Sequence, residues 1–136
     1  MTNVYGDLGQ LFAWTAVAEP RLAAALMGML VNGLGPERIL WGSDALWTGA
    51  PQWQIEGLRR VEIPEDMQKK YGFKPLGPAD GPVKTAIFSR NSARLYGLEK
   101  HAAIVQQDRF AALKADYDKN GPGRSNLRYG YVARQS

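Results

Sequence analysis

Ile39-Leu40-Trp41-Gly42-Ser43-Asp44 is the stretch that decides how this chain is read. A short apolar run ends in a glycine and then in a carboxylate. A buried parallel strand has this form when it delivers an acid to a site at its C-terminal end. Gly42 removes a side chain where something has to approach closely, and Asp44 lies just past the apolar run. Ahead of it, Gly33-Leu34-Gly35-Pro36-Glu37-Arg38 is a turn-rich connection, and ahead of that lies a helical stretch. Glu19-Pro20 opens that helix with proline at its first position, where the missing N–H costs nothing. Leu22, Leu26, Met29 and Leu30 recur at i, i+4, i+7 and i+8 and share one face, the expected buried surface within the chain or between chains. Gly33 is the expected stop.

Working outward, Val4 to Leu8 is a second strand candidate, with Asp7 near its end, and Leu11-Phe12-Ala13-Trp14 is a loop anchor or a short helix. Strand, helix and strand within about 40 residues make one βα unit and the start of the next. Beyond the acid, Gln52 to Arg60, Glu65 to Tyr71 and Asn91 to Tyr96 read as helices, the last two stopped by Gly72 and Gly97. Asp108 to Asp118 is an amphipathic helix with Phe110, Leu113 and Tyr117 at helical spacing, broken by Gly121-Pro122-Gly123.

Gly35-Pro36-Glu37-Arg38-Ile39-Leu40-Trp41-Gly42-Ser43-Asp44 resembles the last-strand motif of the amidohydrolase-related family of metal-dependent (β/α)8 barrels. Asn3-Val4-Tyr5-Gly6-Asp7-Leu8-Gly9 resembles that family's seventh strand. Pro51-Gln52-Trp53-Gln54-Ile55-Glu56 resembles the segment that comes after the acid in one subgroup. Asn91-Ser92-Ala93-Arg94-Leu95-Tyr96-Gly97-Leu98 resembles its closing helix, and Arg124 to Tyr131 resembles the tail of the same subgroup. The resemblance implies an α/β chain: the C-terminal fragment of a (β/α)8 TIM barrel, its last two strands with their helices, plus a helical extension. It divides the chain into residues 1–98, the barrel part, and 99–136, a helix and basic tail. It also implies a role for Asp44, as a ligand of a divalent metal (zinc in the first place) or as the group acting on the metal-bound water. The family hydrolyses C–N or related bonds in small molecules, and some members decarboxylate aromatic acids.

The chain departs from the family in two ways. A complete barrel needs about 250 residues, and this chain has 136. The family places a His-x-His pair on its first strand and further histidines on middle strands, whereas His101 is the sole histidine here. One carboxylate cannot hold a catalytic zinc, which takes three protein ligands. The expectation is a truncated product, a piece of a split enzyme or a fragment, with no metal held by this chain alone. Two strands with wet edges and faces also demand a cover, by a second copy or by a chain that supplies the missing strands.

Each candidate residue has a plainer reading beside the functional one. Spacing alone favours Asp44 as the cap of the turn after it, and the resemblance shifts it to the metal. Asp7 would share the mouth with Asp44 and orient substrate, or it caps a loop. Trp47 and Trp53 are candidates for the wall of an aromatic substrate pocket. Trp41, inside the strand, reads as core, and Ser43 as a turn residue. Gly33-Leu34-Gly35 lies between a helix and a strand, the wrong order for a dinucleotide loop. His101 reads as an exposed surface residue.

Composition narrows the classes. No run is apolar and long enough to span a membrane. The start lacks the layout of a signal peptide, and there are no cysteines. Together these set the expectation of a cytoplasmic protein. The net charge of +4 comes from seventeen basic residues scattered among thirteen acidic ones, with Arg124, Arg128 and Arg134 in the tail. That distribution reads as a solvated tail rather than a nucleic-acid surface. Two rival functions stand beside the hydrolase: a catalytically dead remnant that self-associates as a structural or binding protein, and a basic polyanion-binding module using the tail.

Overall fold

The computed structural model describes residues 3–98 and 109–120. The two strands pair in parallel: β1 (Gly6–Asp7) lies beside β2 (Ile39–Leu40), in the register Gly6 to Ile39 and Asp7 to Leu40. Both are shorter than the apolar runs suggest, because a ladder extends only as far as both partners keep to it. Leu8 N–H continues the pairing by donating to Leu40 C=O at 3.1 Å.

Two helices rather than one connect the strands. The apolar stretch after Gly9 forms a full helix, α1 (Gly9–Ala18). The chain turns at Glu19 and enters α2 (Pro20–Leu34), with proline in its first turn as expected. Gly33 does not end α2. The stop comes at Gly35, whose φ of +82° is one a glycine adopts without strain. A 3-10 turn (Pro36–Arg38) then leads into β2. After the acidic loop come α3 (Pro51–Arg60) and α4 (Glu65–Tyr71), the latter closed by Gly72 in the left-handed conformation. Next, α5 (Pro82–Thr85), a π-helical stretch (Ala86–Arg90) and α6 (Asn91–Leu95) run on without a break and pack on β2. The sequence reading had a helix only from Asn91 onward. The last described element is α7 (Ala111–Asn120), all of whose residues are exposed.

The core joins Leu8, Phe12 and Ala16 to Met27, Val31, Ile39, Leu58 and Ile87. Trp41 belongs to its edge, as its place in the apolar run suggests. Its ring meets Phe12 edge-on at 6.4 Å and Phe88 at 5.0 Å. The face of α2 that is buried is not the leucine row. Ala23, Ala24, Met27, Gly28 and Val31 point inward, while Leu22 and Met29 remain more than half exposed, and Leu26 and Leu30 are partly covered. The reason is distance of approach. Small residues let neighbours come close: a Cβ on Gly28 would lie 2.3 Å from the Phe73 ring. Likewise, a Cβ on Gly57 of α3 would lie 3.0 Å from Ala16 of α1.

Two buried polar side chains tie the closing helix to the rest. Asn91 Nδ2 donates to Pro36 C=O at 2.8 Å and to Ile39 C=O at 2.7 Å. In a parallel ladder successive residues direct their peptide groups to opposite edges. Leu40 faces β1, so the Ile39 carbonyl faces outward, and Asn91 occupies it. Arg94 donates to Glu37 C=O from the next turn. Lys84 is buried and donates from Nζ to the Arg59 carbonyl at 2.9 Å, at the C-terminal end of α3. Burial pushes its pKa down, the nearby Glu62 pulls it back up, and Arg59 pushes it down further.

Candidate functional site

Parallel pairing brings the segments after both strands to the same end of the sheet. There each acid lies against a glycine of the segment that follows the other strand. The Asp7 carboxylate, from β1, lies against Gly42 of the segment after β2: a Cβ on Gly42 would fall 2.2 Å from Asp7 Oδ1. The Asp44 carboxylate, from the loop after β2, lies over Gly9 at the start of α1, where a Cβ would fall 3.1 Å from Oδ2. Both acids are exposed. The close approach expected at Gly42 is therefore real, and the group that approaches is Asp7.

Asp44 does more than sit at the mouth. Its Oδ2 accepts the main-chain N–H of Gln10 at 2.8 Å. It caps a helix, but one that lies 34 residues earlier in the chain rather than the turn after it. Its φ of +46° is in the left-handed region, which aspartate tolerates better than most residues. Leu46, two residues on, has φ of +84° and a side chain 94% exposed, a strained backbone for a leucine.

The loop is braced from behind. Thr48 Oγ1 donates toward Ser43 C=O at 2.6 Å and also lies 3.0 Å from Asp44 C=O. Gln54, on α3, donates from Nε2 to Thr48 Oγ1 at 2.9 Å. Gln54 is buried, and its Oε1 has no hydrogen-bond partner. Ser43 is a turn residue: its Oγ accepts the Ala45 N–H at 3.2 Å.

The two candidate pocket tryptophans lie outside the core. Trp47 is 87% exposed and Trp53, in the first turn of α3, is 39% exposed. A pocket wall built from them needs a second surface opposite. Among the described residues no three His, Cys, Asp or Glu side chains are grouped to hold a metal ion. His101 and the basic residues Arg124, Arg128 and Arg134 lie outside the described residues. The sequence reading missed Gly9, Gln54 and the long-range bonds of Asn91. Asn91 and Gly9 lie within the strand and helix motifs that resemble the family, and that is the only local signal they give.

In comparisons with known proteins, residues 1–98 match the family model described as Amidohydrolase. No curated protein matches the chain, and no solved structure does.

Proposed function

The chain belongs to the amidohydrolase family, and from that premise we propose that it is the C-terminal part of a metal-dependent hydrolase or decarboxylase acting on a small molecule. The observation that carries this reading is the delivery of Asp7 and Asp44 to one end of a parallel strand pair within the matched region. Catalytic residues of (β/α)8 enzymes sit at that end. The small parallel sheet is compatible with a piece of such a barrel. In this reading Asp44 is the acid of the site, and Asp7, Trp47 and Trp53 form the substrate side.

The donor set does not complete a zinc site. A catalytic zinc takes three protein ligands, and the described residues offer no group of three. The family's divalent metal therefore needs ligands from strands outside the described residues. On the outer edge of β2 the Ile39 carbonyl accepts from Asn91, and residues 86–95 pack on that strand. Beside β1, Val4 and Tyr5 are exposed, and so are Leu22 and Met29 of α2. We propose that the preceding strands of a complete barrel pair with the β1 edge, and that its first strand closes on β2.

A self-associating remnant without activity is the second reading. It is favoured by the same exposed residues and by Leu46 and Trp47. Among the described residues no helix is long and apolar enough to cross a membrane.

The deciding experiment mixes the chain with a polypeptide carrying the preceding strands of a family barrel, then measures zinc content and amide hydrolysis. The expected result is zinc and activity in the mixture, both lost with Asp44→Ala. The chain alone should hold well under one zinc per molecule after dialysis. One tightly held zinc in the isolated chain, or an active mixture indifferent to Asp44, would overturn the proposal.

A further inference from the structure

We infer that Asp44 is a positioning residue of the fold itself: it is the cap of α1, pinning the loop after β2 to the first turn of the helix after β1, with or without a metal. Helices leave their first N–H groups unpaired, and a side-chain oxygen normally satisfies one of them. In α1 the residue before the helix, Leu8, has no such oxygen, and the first turn carries no acid. The acceptor comes instead from Asp44, at 2.8 Å from Gln10 N.

Three independent features serve this contact. Gly9 has no Cβ, which leaves room for the carboxylate above it, and its φ of +40° is one that glycine accepts. Asp44 takes a left-handed φ of +46°, which its short polar side chain tolerates. Thr48 and Gln54 hold the far side of the same loop. The negative charge also lies at the positive end of the helix dipole. The position therefore needs a side-chain acceptor that tolerates the left-handed backbone. Aspartate and asparagine both qualify, and that requirement is separate from the chemistry proposed above.

The test reads the Gln10 amide by NMR in the full chain, with a chelator present, so that its outcome does not depend on any metal. In the wild-type chain a scalar coupling across the hydrogen bond should connect Gln10 15N to the Asp44 carboxyl 13C. Asp44→Asn keeps an acceptor and should leave the hydrogen-exchange protection of Gln10 nearly unchanged. Asp44→Gly relieves the backbone but removes the acceptor, and protection should fall roughly five-fold, the usual effect of a lost cap. Global stability is the poorer readout, since glycine also changes the entropy of the unfolded chain. Absence of the coupling would overturn the inference. So would equal Gln10 protection in Asp44→Gly and wild type, or equal loss in Asp44→Asn and Asp44→Gly. A failed zinc complementation with the coupling present would remove the proposed chemistry and leave the cap standing.

Discussion

Replacing Asn91 by alanine should remove a large share of the stability of this chain. Asn91 is 1% exposed, and its amide is the donor to two carbonyls, Pro36 at 2.8 Å and Ile39 at 2.7 Å. Alanine leaves both acceptors without that donor and opens a small cavity. An unpaired buried carbonyl costs about 1–3 kcal/mol, and water entering the vacated space recovers part of it. The expected loss is therefore about 2–4 kcal/mol, against the roughly 5–15 kcal/mol that holds an ordinary domain together. Urea unfolding monitored by tryptophan fluorescence is the assay, because Trp41 packs 5.0 Å from Phe88 in the neighbouring turn of the same helical run. The midpoint should fall by roughly 1–3 M at an unchanged slope. Asn91→Asp keeps the shape but sets a carboxylate against two carbonyl oxygens, so at neutral pH it should be at least as damaging. A loss below about 1 kcal/mol for the alanine variant, or a mild Asn91→Asp, would refute the idea that the amide holds β2.

Three further outcomes are expected. Gly28→Ala should destabilise by about 1–3 kcal/mol by overpacking, since the new Cβ would lie 2.3 Å from the Phe73 ring; the same change made in a Phe73→Ala background should be neutral or favourable, and equal effects in both backgrounds would exclude the clash. Lys84 has a folded pKa lowered by burial, so the unfolded chain holds its proton over a range where the folded chain has released it. Stability should therefore rise with pH from the lowered folded pKa up to the ordinary lysine value, and Lys84→Met should flatten that rise; an unchanged alkaline slope in the variant would assign it elsewhere. At micromolar concentration the chain should sediment above monomer mass, with the exposed Met29 and Tyr5 at the contact; a compact monomer with sharp unfolding, or an oligomer unaffected by Met29→Lys and Tyr5→Lys, would count against the open β1 edge.

Features encoded over a few neighbouring residues are legible in the sequence alone. Proline at the start of α2, Gly72 at the end of α4 and the apolar run that ends in Asp44 are of this kind, because backbone preference and burial pattern act locally. The placement of Asp7 and Asp44 at one mouth came from treating both runs as parallel strands. The inward face of α2 differs from the leucine row the sequence pointed to, since the helix carries apolar residues on more than one side. Which side goes in depends on how closely Phe73 and α1 can approach the small residues Gly28, Ala23 and Ala24. The partners of Asp44 and Asn91 were also out of reach. They are main-chain groups 34 and 52–55 residues away, and every residue has such groups. Only the folded chain selects which N–H lacks an acceptor and which carbonyl lacks a donor, because that is settled by the packing that shuts out water.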